Sequence, residues 1–184
     1  MACSVRQGLS EPSELRKIEL IMNSLDIGAK DRPVVAAALA RAEDTGAPAM
    51  AIELPDGRII TGKTSSLLGA ASACLMNALK ALAGIDKKLP LIAPGVIQPI
   101  QHLKVEHLGN HNPRLHTDEL LIALSICAVT NPMAELAVHQ LASLRGCEAH
   151  STVILSHVDS DLFKKLGVNI TFEPKYQAKK LYHR

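Results

Sequence analysis

Four side chains capable of nucleophilic or acid–base chemistry follow Gly146: Cys147, His150, Ser151 and Thr152. A thiol or a hydroxyl becomes an effective nucleophile when an imidazole within hydrogen-bond reach accepts its proton. The turn into a strand leaves open whether Cys147 and His150 meet or point to opposite faces. The alternative is a small buried cysteine, with the imidazole and the hydroxyls bonded to backbone groups at the strand end. Cys147, His150 and Ser151 are therefore catalytic candidates, and Thr152 is a ligand-binding candidate.

A second polar group, Lys63-Thr64-Ser65-Ser66, lies where a predicted strand leads into a helix. The first N–H groups of a helix have no partner within the helix, and they attract anions. Lys63, Thr64 and Ser65 are therefore candidate ligands of a small anion. The alternative is that Ser65 or Ser66 caps the helix.

The segment from Gly57 to Thr64 also satisfies the phosphate-loop pattern G-x-x-x-x-G-K-[ST]. A phosphate loop requires a strand, then a loop that exposes its N–H groups, then a helix. Here Arg58-Ile59-Ile60-Thr61 favours an extended chain, and Gly57 belongs to an Asp-Gly turn. We therefore predict a hairpin strand at this place and no nucleotide site.

Four histidines fall close together in the sequence: His102, His107, His111 and His116. Zinc would require three or four neutral imidazoles at about 2.0–2.1 Å from the ion. His107 and His111 have the four-residue spacing of one helical face but no glutamate between them, and Gly109 and Pro113 make the segment irregular. We therefore predict surface or loop-packing histidines, with no metal and no cofactor.

Apolar spacing and capping residues predict the elements that position these side chains. Two helices form an N-terminal pair, one over residues 11–26 and one from Asp31, taken as its cap, to Gly46. A β-hairpin follows, with strands at residues 49–54 and 58–61. The N-terminal pair is thus a helical lead-in to a sheet.

The middle of the chain is predicted to hold one helix and a long irregular segment. The helix covers residues 66–82, and small residues fill its part from 69 to 74. Small side chains indicate that this helix approaches a neighbour closely or is buried against a sheet. Residues 86–116 contain four prolines and are predicted to be loop-rich, with short extended pieces.

The last part of the chain is predicted to alternate helices and strands. Thr117 caps one helix, and Asn131-Pro132 begins another that ends at Gly146. The final elements are a strand, a short helix and a strand, at residues 149–156, 159–166 and 168–173. Two strands joined by such a helix run parallel, with a right-handed crossover.

These elements predict the fold class. It is α/β, a mixed sheet with packed helices, in a single domain over residues 1–184. The helical lead-in occupies residues 1–46 and the α/β core residues 47–184.

Composition excludes several classes of protein. The chain is 47% hydrophobic with net charge +2, which is typical of a globular domain, and aromatics at 2% leave few stacking platforms for single-stranded nucleic acid. The basic tail over residues 175–184 is interpreted as a solvated terminus, so we predict no nucleic-acid partner. No stretch approaches eighteen uncharged apolar residues, which predicts no membrane span. Isolated cysteines and an N-terminus without a signal-peptide core favour a cytoplasmic location.

Four longer stretches carry a family resemblance, at residues 51–57, 121–126, 128–132 and 146–156. In these stretches the chain resembles the C-terminal portion of uncharacterised protein family 0371, the domain of unknown function 1846, from about Leu15 to the end. The resemblance implies longer relatives whose N-terminal part carries a glycine-rich, phosphate-loop-like segment. The 184 residues contain no counterpart of that part, so a family activity that depends on it is not implied here.

The predicted order of elements is also similar to that of the cytidine-deaminase fold. Zinc deamination requires His or Cys near Glu at the start of one helix, and Pro-Cys-x-x-Cys at the start of the next. This chain has Gly69-Ala70-Ala71 at the first place and Asn131-Pro132-Met133-Ala134-Glu135 at the second. The similarity therefore implies a deaminase-like topology without the zinc site.

These observations predict an accessory, non-catalytic domain that binds a partner or a small anionic ligand. The expected partner is a second copy of the chain, because the small-residue helix over 69–78 has few charges, or a protein that carries the family's N-terminal half. One alternative is an enzyme whose site at the Cys147–Thr152 junction faces Lys63–Ser66. Another is a structural subunit that completes a separately encoded N-terminal half.

Overall fold

The computed structural model of the chain describes residues 1–177, and for Lys30 the backbone alone. The part of the basic tail over residues 178–184 lies outside the described residues. Four strands form one mixed sheet, and helices pack on both of its faces. The predicted α/β fold is confirmed, and its similarity to the cytidine-deaminase fold stays a hypothesis.

The sheet begins with the predicted hairpin, which is confirmed. Strand β1 (Ala49–Glu53) pairs antiparallel with β2 (Ile59–Lys63). The turn closes with the Gly57 N–H donating to the Leu54 carbonyl at 2.9 Å, and Gly57 has a φ of 81°, which favours glycine. Because β2 runs through Ile59–Lys63, the phosphate-loop pattern describes a strand and not a loop.

The other half of the sheet is the predicted parallel strand–helix–strand unit, which is also confirmed. β3 (Glu148–Ser151) pairs antiparallel with β1 and parallel with β4 (Asn169–Phe172), so the strand order is β2-β1-β3-β4. Helix α8 (His157–Lys165) connects β3 to β4. β3 is shorter than the predicted strand 149–156, because residues 152–155 leave the sheet towards α8.

The helical lead-in consists of α1 (Ala2–Arg6), α2 (Pro12–Ser24) and α3 (Pro33–Thr45). α3 buries Val34, Val35 and Ala38 against Ala51 of β1, whereas α2 buries no side chain. The prediction that Asp31 caps α3 was wrong. Its carboxylate instead accepts the Gly28 N–H at 2.7 Å in a separate 3-10 turn. The physical reason is Pro33, which suits the first helical position and keeps the preceding residue, Arg32, extended.

Helix α4 (Ala70–Leu82) begins later than predicted, and Gly69 is its cap residue. Neither Ser65 nor Ser66 caps it, because the Ser65 hydroxyl instead accepts the N–H of Leu68 at 3.1 Å in a separate turn. A Cβ on Gly62 of β2 would lie 2.1 Å from the backbone nitrogen of Cys74. The small residues therefore permit backbone contact between α4 and the sheet, as the composition of α4 indicated.

The proline-rich segment is helical, so the prediction of a loop over residues 86–116 was wrong in its middle part. α5 (Pro94–His102) is followed by a π-helical turn (Leu103–His107). Pro94 stands at the start of α5, where no N–H is needed, and one internal proline does not end the helix. Loop structure is confined to the flanks of this helical part.

Two further helices complete the core. α6 (Thr117–Ala128) has His116, not Thr117, at its cap position. α7 (Pro132–His139) begins as predicted, with the Asn131 side chain accepting the Met133 N–H at 3.0 Å. It ends before Gly146, because a short 3-10 turn intervenes. No helix among residues 1–177 is long and apolar enough to cross a membrane.

Candidate functional site

The first turns of three helices, α4, α6 and α8, meet around one small pocket. Its volume of about 20 Å³ has room for a single water-sized group. A parallel bridge between Leu68 and Leu115 joins the segments that lead into α4 and α6, and the Ser72 hydroxyl donates to the Leu115 carbonyl at 2.8 Å. The pocket is lined by Gly69, Ala70, Ala71, Asn112, Arg114, Leu115, His116, Val153, Ile154, Leu155, Asp159 and Gln177. We name it the His116 pocket.

Three polar side chains from two of these helix starts form a hydrogen-bonded cluster. The His116 Nδ1 atom lies 3.0 Å from Asp159 Oδ2 and 3.3 Å from Ser156 Oγ. Ser156 donates to the same Asp159 oxygen at 2.8 Å, and the Thr117 N–H donates to Asp159 Oδ1 at 2.9 Å. Asp159 in α8 therefore links the starts of α6 and α8.

The cluster shifts both of its titrating groups towards their charged forms. Burial by itself would raise the pKa of Asp159, but hydrogen bonds from His116, Thr117 and Ser156 outweigh burial and hold it below its usual value. The hydrogen bond to Asp159 raises the pKa of His116 above its usual value, against the opposing effect of burial. The site therefore favours an imidazolium beside a carboxylate.

Nε2 is the His116 nitrogen that remains for a ligand. Among the described residues the ring bonds through Nδ1 alone, and its side chain is 22% exposed. A neutral imidazole whose Nδ1–H donates to a carboxylate presents a basic Nε2, and an imidazolium presents an acidic Nε2–H. His116 can therefore exchange a proton with a group in the pocket.

The wall opposite His116 is the start of α4. Its cap residue, Gly69, has no side chain to accept the first N–H groups of the helix. Ala70 and Ala71 are buried and line the pocket with small side chains. Arg114 also lines it, and its Nε donates to the Ser65 carbonyl at 2.7 Å. The pocket thus combines the start of a helix, an arginine and a histidine among its lining residues.

The structure separates the residues that sequence patterns had grouped into one candidate site. Cys147 precedes β3 at the sheet end where Glu53 pairs with Ile59, whereas Lys63 pairs with Ala49 at the other end. An enzyme site shared by Cys147 and Lys63 is therefore not formed, because the length of the sheet lies between them. Among these residues, Ser151 and Thr152 lie near the Lys63 end, since Ser151 pairs with Met50 and the Thr152 N–H donates to the Ala49 carbonyl at 2.9 Å.

Cys147, Ser151 and the ligand-binding candidate Thr152, in and beside β3, are accounted for by burial and by backbone hydrogen bonds. Burial raises the pKa of the Cys147 thiol, which disfavours the nucleophilic thiolate. The Ser151 hydroxyl donates to the Val153 carbonyl at 2.8 Å. The Thr152 hydroxyl accepts the Ala49 N–H at 3.0 Å and donates to the Ala49 carbonyl at 3.1 Å. These contacts correspond to the alternative in which the junction residues satisfy backbone groups.

His150 lies on the face of the sheet that carries α3, beside Ala51. Its Nδ1 is 2.9 Å from the Thr171 hydroxyl, and its Nε2 is 3.3 Å from Glu173 Oε1 without hydrogen-bond geometry. Burial lowers its pKa, although Glu173 opposes that effect. His150 and Arg32 line a groove of about 560 Å³ between α1 and β4. His150 therefore lies on the α3 face of the sheet, whereas Cys147 belongs to the core cluster on the other face.

The residues predicted to bind an anion border the His116 pocket without lining it. Lys63 is exposed, Thr64 is buried, and Ser65 belongs to the turn before α4. The Ser65 carbonyl, however, accepts from Arg114, which does line the pocket. These three residues thus stand next to the start of α4, as expected, but the charged groups of the pocket come from elsewhere in the chain.

The four clustered histidines do not converge. The rings of His102 and His107 contact edge to face at 5.4 Å, while His116 bonds to Asp159. Within residues 1–177, no three His, Cys, Asp or Glu side chains stand together as a metal would require. The absence of a bound metal stays a prediction.

Sequence reasoning missed the central pair of the pocket. His116 was assigned to loop packing, and Asp159 was not considered. A local signal did exist, because Ser156-x-x-Asp159 matches the S-x-x-[DE] capping pattern at a helix start. The contact between residues 116 and 159, however, depends on how α6 and α8 pack, which spacing does not reveal.

Comparisons with known proteins place the chain among longer relatives. Residues 30–182 match the family described as domain of unknown function DUF1846, C-terminal. A UPF0371 protein of Streptococcus pyogenes serotype M5 is 55% identical over 172 residues, which are 94% of this chain and 35% of the relative. A UPF0371 protein of Streptococcus thermophilus is 54% identical over 170 residues, which are 92% and 34%. The chain therefore spans about a third of the length of these curated relatives.

Proposed function

The chain belongs to the family of C-terminal DUF1846 domains, and from this premise we propose that it is an accessory domain that binds the anionic group of a small ligand at the His116 pocket. The observation that carries the proposal is the uncapped start of α4 facing Arg114 and His116 around one pocket. Helix N–H groups and cationic side chains together favour a carboxylate or a phosphate group. The pocket's volume suits one oxygen of such a group and not a whole ligand.

The charges of the pocket support an anion over a cation. Asp159 is the carboxylate among its lining residues, and its oxygens already form hydrogen bonds with His116, Ser156 and the Thr117 N–H. When His116 is protonated, it and Arg114 carry more positive charge than Asp159 offsets, which favours an anionic ligand. The Nε2–H of the protonated His116 would donate to the bound oxygen.

A titration with inorganic phosphate tests the proposal. We expect saturable changes in the amide signals of Ala70 and Ala71 and in the His116 ring signals of the labelled chain. Arg114→Gln should weaken binding by about tenfold, because a charge-assisted contact is lost. Arg58→Gln is the matched control, since Arg58 pairs with Asp56 in the hairpin, away from the pocket.

Phosphate binding that is equal in the wild type and in Arg114→Gln would contradict the proposal. So would amide changes that avoid the start of α4. Either result would leave the His116–Asp159 pair as a connection between α6 and α8 that serves stability alone.

A second proposal concerns self-association, which a different surface supports. The small-residue helix α4 is buried against the sheet within the chain, so the original reason for expecting self-association no longer applies. Instead, α6 is largely apolar beyond its first turn, and a stripe of exposed apolar side chains continues onto α7. The stripe consists of Ile122, Ile126, Val129, Met133 and Leu136, of which Val129 is 83% exposed. We propose that two copies pair through this stripe.

Light scattering over a hundredfold concentration range tests the second proposal. The wild type should form dimers, and Ile126→Glu should shift it to monomers because a charge enters the stripe. Leu89→Glu, at an exposed leucine outside the stripe, should leave the mass unchanged. A monomeric wild type at all concentrations would contradict self-association and would turn attention to the remaining two-thirds of the relatives as the partner.

A further inference from the structure

A buried lysine stands behind the His116 pocket. Lys104 lies in the π-helical turn, and its side chain is 3% exposed. Its ammonium donates to Glu119 Oε2 at 2.7 Å and to the Arg114 carbonyl at 2.7 Å. Burial of an ammonium is costly unless its donors are satisfied, and these two acceptors supply the compensation.

The two acceptors of Lys104 stand on either side of His116 in the sequence. The Glu119 oxygen that binds Lys104 also accepts the His116 N–H, at 2.8 Å. One ammonium therefore fixes the backbone of Arg114 and, through Glu119, the backbone of His116. Both residues line the pocket, whereas Lys104 does not.

We propose that Lys104 is a positioning residue of the anion site, holding Arg114 and His116 at their places around the pocket. The inference rests on the proposed function. The π-helical turn supports it, because such turns widen a helix locally and recur at functional sites. Here the wider turn is closed by the Leu108 N–H donating to the Leu103 carbonyl at 3.1 Å, and the Asn110 N–H donates to the Lys104 carbonyl at 2.9 Å.

Besides Arg114, which lines the same pocket, the charged groups that shift the pKa of His116 come from three elements. Asp159 belongs to α8, Glu119 to α6 and Lys104 to the π-helical turn, while the first turn of α4 carries no charged side chain. The carboxylates raise the pKa of His116 and the Lys104 ammonium lowers it. Removal of Lys104 from an otherwise intact site should therefore raise this pKa, and disorder of the segment should lower it towards its usual value.

The chain offers a matched control in a second buried lysine. Lys80 is 7% exposed, and its ammonium donates to the Lys87 and Leu89 carbonyls at 3.1 and 2.6 Å. It fastens a loop at the far end of α4, away from the His116 pocket. Lys80→Met and Lys104→Met thus each remove a buried ammonium that binds backbone carbonyls.

Phosphate binding and the titration of the His116 ring should separate the two variants. We expect Lys104→Met to weaken phosphate binding by about tenfold, as loss of a supporting contact behind a ligand site does, and Lys80→Met to leave it unchanged. Without Lys104 the ring should be held less well beside Asp159, so it should titrate at a lower pH in Lys104→Met and at the wild-type pH in Lys80→Met. A raised pKa in Lys104→Met would show that the site stays intact without the lysine and would overturn the inference. Equal behaviour of the two variants would overturn the inference.

Glu119→Gln keeps the inference testable if Lys104→Met does not fold. The amide oxygen can still accept the His116 N–H, but the charge is lost, so the pKa of His116 should fall. The weaker hold of the amide on Lys104 should also reduce phosphate affinity, and an affinity equal to that of the wild type would overturn the inference. If the wild type binds no phosphate, the proposed function fails by itself, while the ring titrations still decide whether Lys104 positions His116.

Discussion

His116 and His150 lie in polar clusters on different sides of the sheet, and their surroundings shift their pKa values in opposite directions. His116 faces Asp159, a buried carboxylate that two further donors hold, and the pKa of His116 is raised. His150 faces Glu173, which is more exposed and does not form a hydrogen bond with Nε2, and burial lowers its pKa. A nearby carboxylate is therefore not enough to charge a buried histidine. The carboxylate must itself be held by further hydrogen-bond donors, as Asp159 is.

The secondary structure around each histidine explains the difference. Asp159 lies in the first turn of α8 and accepts the first N–H of α6, so two helix starts stabilise its negative charge. Glu173 follows the end of β4, and a sheet offers only small net dipoles. The comparison thus predicts that the His116 cluster contributes more to stability and to ligand binding than the His150 cluster does.

The largest effect is expected from moving α4 away from the His116 pocket. Gly62→Ala places a Cβ 2.1 Å from the Cys74 nitrogen, so the backbone of β2 or α4 must shift. We expect the free energy of unfolding to fall by about 3 kcal/mol or more, and phosphate binding to be lost in whatever remains folded. Chemical denaturation measures the first effect. Gly95→Ala, where a Cβ meets open space, is the control, and an equal loss there would refute the packing argument.

Removal of each histidine's carboxylate partner is the next test. Asp159→Ala leaves His116, Ser156 and the Thr117 N–H without their acceptor, so the free energy of unfolding should fall by about 3 kcal/mol. Glu173→Ala removes a partner with weaker geometry and should cost less than about 1 kcal/mol. Urea denaturation of both variants compares the clusters directly. Equal costs would break the comparison.

The pH dependence of stability should differ in sign between the two histidines. His116 has a raised pKa, so its contribution is complete below about pH 6.5 and is lost as the pH rises through its folded-state pKa. Asp159 has a lowered pKa, so its contribution is present above about pH 3.9 and is lost as the pH falls through its folded-state pKa. His150 has a lowered pKa, so burial of its neutral ring costs stability as the pH falls below about 6.5.

Thermal unfolding of His116→Asn and His150→Asn at several pH values checks these signs. The loss caused by His116→Asn should be greatest between about pH 4 and 6.5 and should shrink at higher pH. The loss caused by His150→Asn should be greatest above pH 7 and should shrink at lower pH. If the losses of stability in the two variants changed with pH in the same direction, the two clusters would not differ in charge.

Local patterns were sufficient to predict the hairpin and the parallel strand–helix–strand unit. The Asp56-Gly57 turn and the length of the segment between β3 and β4 each depend on neighbouring residues alone. The predicted helix boundaries were less accurate where a proline is the first helical residue, as Pro33 is in α3. The helix within the proline-rich segment was missed because Pro94 serves as its first residue instead of interrupting it.

The candidate site was less predictable than the fold because its members come from distant segments. The polar residues around Cys147 lie close together in sequence. Because β3 extends from one end of the sheet to the other, however, the residues before and after it lie at opposite ends. His116 and Asp159 are 43 residues apart and meet only after α6 and α8 pack together. The presence of a strand is visible in a sequence, whereas the packing of two helix starts is not.

The smallest expected effect concerns Lys63, which sequence patterns proposed as an anion ligand and which the phosphate-loop pattern would place under a nucleotide. Lys63 is exposed at the end of β2, and Arg114, not Lys63, lines the His116 pocket. Lys63→Ala should therefore change phosphate affinity by less than about twofold, since a solvated ammonium outside the pocket acts through screened charge alone. ATP binding measured by calorimetry should be negligible in the wild type and in the variant, because a strand occupies the place of the loop. If the wild type bound ATP and Lys63→Ala abolished that binding, Lys63 would belong to a third functional cluster beside those of His116 and His150. The start of α4 would then bind its anion from the β2 side, not from the His116 side.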